Sequence, residues 1–178
     1  ELAERSGVSR SNISLIERGG SSPTAVVLDK LSGALGATVA SLFEPAESAI
    51  AAEPSPLARV ADQPVWQDPG SGYLRRNVSP PDYPSPLRIV EVEFPAGQRV
   101  LLEGGTPAAA IDEQVWVLEG AMTLTLGDAS HRLEAGDCLA LHIDGPIEFH
   151  NPGRRAARYA VVIATPTPPR VSTRQAPR

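Results

Sequence analysis

The sequence predicts a multidomain α + all-β chain, a small helical unit followed by an antiparallel β-barrel. Three observations carry this. Residues 1–44 place Ala, Gly and aliphatic side chains at helical intervals. From Val60 onward the chain falls into short apolar runs (PVWQ, GYLRRNV, LRIVEVEF, EQVWVLEG, AMTLTLG, CLALHI, IEFHN, RYAVVIA) separated by Gly, Pro and Asp, with no helical pattern between them. Between the two regions lies PAESAIAAEPSPLA, which has little periodicity of either kind. The expected organisation is a helical unit at 1–44, a linker at 45–58, a β unit at 59–166 and a disordered tail rich in Pro and Arg at 167–178.

Composition narrows the function classes. The chain has 178 residues, 42% of them hydrophobic, enough for globular cores. Its net charge is -5 and its pI about 5.2, so any positive surface for phosphates has to be local. In the helical part Arg5, Arg10, Arg18 and Lys30 are the basic residues. The lone cysteine, Cys138, excludes an internal disulfide framework, fits a reducing cytoplasm and is expected as a small buried hydrophobe. There is neither an apolar run long enough for a membrane span nor a charged-then-apolar leader, so no membrane partner is expected.

Each element has its own justification. In ELAERSGVSRSNISLIERGG, Ala3 lets two helices approach, Gly7 takes the turn, Ser9 caps a second helix, and Ile13 and Ile16 are expected to bury against the first. After SSPT, Thr24 caps a third helix whose Ala25, Leu28, Leu31 and Leu35 form a core-facing stripe ended by Gly36. Val39, Leu42 and Phe43 are read as a last helical turn closing this unit. In the β unit LRIVEVEF alternates, as a half-exposed strand should, whereas YAVVIA is apolar on both faces and suits an interior strand.

GVSRSNISLIERG with SSPTAVVLDKLSGALG resembles the helix-turn-helix of the Cro and phage-repressor type, the XRE family of transcription regulators. The resemblance implies that the helix from Ser9 to Arg18 enters the major groove of DNA. Arg10 would reach a guanine edge, Ser11, Asn12 and Ser14 would contact bases or phosphates, Arg18 would grip the backbone, and Ser9 and Ser22 complete the expected DNA-binding set. It also implies a helix ahead of Glu1, so the chain is expected to be truncated at its N-terminus. Two later stretches resemble the paired motifs of the cupin barrel, a double-stranded β-helix: Glu113 followed by Gly120 in EQVWVLEG, and GDCLALHIDGPIEFHNPG from Gly136 to Gly153.

Metal-binding cupins use three imidazoles and a carboxylate. Here the stretch EGGTPAAAID has no histidine, the third imidazole position holds Ile147, and Glu113 alone remains of the set. His150 points away from Ile147 in an extended strand and His131 falls at a turn or strand start, so neither replaces it; the corner at Gly145-Pro146 leaves the direction of His142 open. No metal, cofactor or catalytic set is therefore expected. The reading is an apolar pocket lined by Glu113, Val115, Val117, Ile147 and Phe149 that holds an effector. A buried Glu113 needs an Arg, a hydrogen-bond donor or a proton, and a cationic or amine-bearing effector would also satisfy it. The expected function is a homodimeric regulator that binds a roughly palindromic double-stranded DNA operator and senses an unknown small molecule. The alternatives are a metal-dependent cupin isomerase or oxygenase with an attached helix-turn-helix, and a barrel that only dimerises.

Overall fold

The structure, a computed structural model, describes residues 1–37, 39, 41–43, 55–81, 83–103 and 111–164. Most of the expected linker, the stretch 104–110 and the C-terminal tail lie outside the described residues.

The N-terminal unit consists of α1 (Leu2–Ser6), α2 (Arg10–Glu17) and α3 (Ala25–Leu35). Gly7 ends α1 at φ 67°, in the left-handed region where a side chain is strained. The Ser9 hydroxyl accepts from the Asn12 amide at 3.3 Å, and the Thr24 hydroxyl accepts from the Val27 amide at 3.3 Å. Each satisfies a donor that the first helical turn leaves open. Ile13 and Ile16 are half-buried rather than enclosed. Three helices this short enclose little volume, and Val8, Leu28 and Leu31 occupy it.

Two faces of α3 are buried, where the sequence pattern showed one. Leu28 and Leu31 are buried outside the core of the β unit, on the helix that packs with α1, whereas Ala25 belongs to that core. Asp29 and Ser32, four and seven positions after Ala25, share its face and are buried as well. Leu35, expected to extend the stripe, is exposed at the last turn.

The β unit comprises β1 (Val65–Gln67), β2 (Leu74–Asn77), β3 (Leu87–Phe94), β4 (Arg99–Leu102), β5 (Ile111–Glu119), β6 (Ala121–Leu126), β7 (Ala129–Glu134), β8 (Cys138–Ile143), β9 (Ile147–His150) and β10 (Ala157–Ala164). They form a six-stranded sheet, β1-β2-β3-β10-β5-β8, and a four-stranded sheet, β4-β9-β6-β7. Every pairing among the described strands is antiparallel. From β3 onward this alternation of strands between two sheets is the order of a jelly roll, the double-sheet form that cupins take. The expected barrel is thus two facing sheets sharing one core, with β1 and β2 added beside β3.

Alternation along each strand fills that core with Val90, Val92, Phe94, Val115, Val117, Met122, Leu124, Ile147 and Val161. The apolar β10 runs between β3 and β5, as an interior strand. Two local devices hold the corners. Gly120 turns β5 into β6 at φ 79°, where an added Cβ would lie 3.1 Å from the Ala157 Cα. The fully buried Asn151 donates to the carbonyls of Phe94 (3.0 Å) and Arg155 (2.8 Å) and accepts from the Gly153 amide (2.8 Å). Cys138 is exposed, against expectation. The inward positions of β8 are Leu141 and Ile143, and the period of two turns Cys138 to the outer face.

The helical unit docks on this scaffold through buried polar contacts. Asp68, 3% exposed, accepts from the Ala25 amide at 2.8 Å with one oxygen. Its other oxygen accepts from the Ser71 amide and hydroxyl at 2.7 and 2.6 Å. Burial alone would raise the Asp68 carboxyl, but the Ser71 hydroxyl and the amides of Ala25, Ser71 and Gly70 outweigh it and hold it below its ordinary value. Phe43 ends the expected last helical turn, found as a 3₁₀ turn at Ser41–Phe43, and reaches the β unit. It packs on Trp66 at 5.4 Å between centroids, and its carbonyl accepts from Asn77 Nδ2 at 3.4 Å.

Candidate functional site

A cavity of about 110 Å³ opens between the inner faces of the two sheets and the underside of α3. The sheets contribute Tyr73, Arg75, Glu113, Ile147, Phe149 and Tyr159, and the helical part contributes Asp29, Ser32, Ala37 and Val39. Val115 and Val117, expected as lining, are fully buried and do not reach it. They share the inner face with Glu113, but each step along β5 carries the side chain deeper into the packed core, and alternation gives the face without the depth.

Polar groups converge in this otherwise apolar space. Burial pushes the Glu113 carboxyl up to about 7, against a smaller opposing pull from Arg75. Burial likewise pushes the Arg75 guanidinium down, with Tyr73, Glu113 and Tyr159 partly opposing it. The two side chains face one another without closing an ion pair. Nε and Nη2 of Arg75 are buried and donate to nothing among the described residues. The guanidinium carbon lies 5.2 Å from the centre of the Phe43 ring, a cation–π contact. Burial raises the Tyr73 hydroxyl to about 12 and the Tyr159 hydroxyl well above its ordinary value, so both remain donors at neutral pH.

Arg75 and Tyr73 were missed in the sequence. In GYLRRNV the apolar Leu74 is the obvious inward residue, yet Arg75 stands opposite the buried Val92 in the ladder and shares its face. The available signal was Tyr73, whose large ring goes inward and takes Arg75 with it. Arg76, on the outer face, pairs with Glu91, which also accepts from Arg158 at 2.9 Å.

Among the described residues no cluster of His, Cys, Asp and Glu is arranged to hold a metal ion. The carboxylate that the cupin resemblance implies as a ligand faces a guanidinium, a set that does not fit a divalent cation. His142 lies outside, with Nδ1 2.9 Å from Asp112 Oδ1; that hydrogen bond and the nearby carboxylate raise its pKa. His131 is exposed within β7, and His150 occupies the outer side of β9.

The second candidate surface is α2. Arg10, Ser11 and Arg18 are exposed, as are Ser9 at its cap and Ser22 beyond it, while Asn12 and Ser14 are half-buried. Ser9 Oγ and Ser11 Oγ lie 3.1 Å apart. Arg10 Nη2 sits 3.7 Å from Glu4 Oε1 with both side chains largely in solvent, a contact easily exchanged for another partner. Arg18 Nε donates to the Ser14 carbonyl at 3.0 Å, laying the side chain along the helix.

A three-helix head with a capped second helix and an exposed polar face, seated on a two-sheet jelly roll, defines a helix-turn-helix protein with a cupin-like body. Residues 1–42 match the helix-turn-helix family HTH_3, and this part of the chain is an HTH_3 domain, of the XRE type. The structure shares its fold with an HTH_3 family transcriptional regulator from Vibrio cholerae, at TM-score 0.67 and 21% identity over 93% of this chain and 85% of that one. A Cupin_2 domain of an XRE family transcriptional regulator from Enterobacter cloacae aligns at TM-score 0.47 and 18% identity over 53% of this chain and 97% of its own. KdgF from Halomonas sp. aligns at 0.45 and 20% over 57% and 87%. No protein of curated function matches the chain. No described helix is long and apolar enough to cross a membrane.

Proposed function

We propose that the protein is a sequence-specific, DNA-binding transcription regulator, acting as a homodimer, whose hold on DNA is set by a small molecule in the cavity beneath α3. One observation carries this reading: a single helix serves both parts. α3 packs with α1 in the head, lends Ala25 to the core of the sheets, and roofs the cavity with Asp29 and Ser32. A molecule in the cavity therefore touches the DNA-binding unit directly. To act, it has to bind two arrangements of that unit unequally.

In this reading α2 lies in the major groove, with Arg10 and Ser11 at its leading end over base edges and Arg18 and Ser22 toward the phosphates. Ser9 spends its hydroxyl on the cap, which leaves base contact to its neighbours. The modest local charge makes one head a weak binder, and two heads about 34 Å apart would read a roughly palindromic site. The outer face of the six-stranded sheet, where Leu87, Ile89 and Trp116 are exposed, offers the apolar surface for a second copy. No metal and no catalytic step enter this function: Glu113 is set against Arg75, and Asp29, at the roof, accepts from the Glu103 amide.

The test is selection of genomic fragments by the full-length protein at several salt concentrations. A common palindrome that survives rising salt is the expected result. Recovery limited to a salt-sensitive, sequence-independent background would reject the reading.

A further inference from the structure

We propose that the cavity takes a small monocarboxylate, whose two oxygens accept from Nε and Nη2 of Arg75; this names the ligand class for the effector role above and rests on it. Those two nitrogens are the side-by-side donors of the guanidinium fork. Both are buried without an acceptor among the described residues. Buried donors are rarely left open in folded proteins, and an open charged one is more costly still. The fork matches the spacing of carboxylate oxygens, and the Phe43 ring at 5.2 Å lies against the guanidinium.

The surroundings favour a single negative charge. Tyr73 and Tyr159 offer hydroxyl donors, and Glu113, pushed up to about 7, carries a proton at mildly acidic pH and then donates too. A dianion such as phosphate would set two charges against one guanidinium beside Glu113. Asp29, the other acid of the lining, accepts from the Glu103 amide at 2.6 Å and is held at the roof. Size restricts the ligand further. A cavity of about 110 Å³ is smaller than the roughly 150 Å³ space that holds a benzene ring, so the occupant has only a few heavy atoms. Val92, Val100, Ile147 and Phe149 give a short alkyl tail an apolar wall.

Calorimetric titration of the full-length protein at pH 6 compares propionate with propylamine, which has the same tail and the opposite charge. Propionate is expected to bind at one per chain and propylamine not at all. Arg75→Met should weaken propionate by about tenfold or more, the size of a lost charge-assisted bond pair. Arg75→Lys, which keeps the charge but not the fork, should fall between the two and carries the test if the Met variant does not fold. Propylamine binding without propionate, or propionate binding equally to the wild type and Arg75→Lys, would overturn the carboxylate assignment. Binding of either compound accompanied by a change in affinity for a selected DNA fragment would leave the effector role standing. Propionate bound through Arg75 with DNA affinity unchanged would overturn the effector role and keep the carboxylate assignment.

Discussion

Replacing Glu113 by Gln should stabilise the protein at alkaline pH and leave it unchanged in acid. The carboxyl is raised from its ordinary 4.5 to about 7, chiefly by burial. A group raised in the folded state contributes stability that is complete below its unfolded value and is lost as the pH climbs through the folded one. For Glu113 that loss runs from pH 4.5 to about 7. The gap, at about 1.4 kcal/mol for each pH unit, comes to about 3 kcal/mol, an upper bound because solvent enters the cavity. Gln has the same shape and no charge to lose. Urea denaturation followed by circular dichroism at pH 4.5 and pH 8.5 is the assay. Equal stability of the two proteins at the lower pH is expected, with the variant ahead by up to about 3 kcal/mol at the higher. A variant less stable than the wild type at pH 8.5 would refute the argument, since Glu113 would then be an ionised, well-partnered side chain.

Three further outcomes are expected. Asp68→Asn removes the charged acceptor that joins the first turn of α3 to the β unit, so stability should fall by about 2 kcal/mol and hydrogen exchange at the Ala25 amide should quicken. Arg10→Ala should relax preference at one base step by about 1 to 3 kcal/mol on a selected fragment while affinity for random DNA changes little; equal losses on both would make Arg10 a phosphate contact. Trp116→Lys, on the outer face of the six-stranded sheet, should shift the proposed dimer toward monomer in sedimentation, and a dimer that the substitution leaves unchanged would place the contact between copies elsewhere.

The local grammar of the chain was legible. Ser9, Thr24, Gly7 and Gly36 each act on their own helix, and their roles follow from short-range geometry that residue identity discloses. Most strands were readable because alternation reports which face of a sheet a residue takes; β4 and β7 were not among the apolar runs, β7 because Leu133 is its one buried side chain. What stayed hidden depends on contacts between distant segments. Asp29 and Ser32 look like the solvated side of α3 until the β unit is set against them, and Asp68 looks like an ordinary turn residue until it meets Ala25. Phe43 follows the same logic. All the aromatic residues except Tyr83 and Trp116 form one chain of ring contacts, from Phe43 through Trp66, Tyr73 and Phe94 to Tyr159 and Phe149, and nothing in their spacing along the sequence announces it. Arg75 was hidden by its own charge, since a basic residue beside a leucine reads as the outward member of the pair.

The central claim is that the cavity and the DNA-binding head are one coupled device through α3. Its most direct test is reciprocal: the affinity of the protein for a cavity ligand, taken as the compound from a metabolite panel that most raises the melting temperature, measured with and without a selected DNA fragment. Coupling requires that the fragment change ligand affinity by the same factor by which the ligand changes fragment affinity, and a factor of about 5 or more is expected. Ligand affinity identical in the presence and absence of DNA would contradict the account.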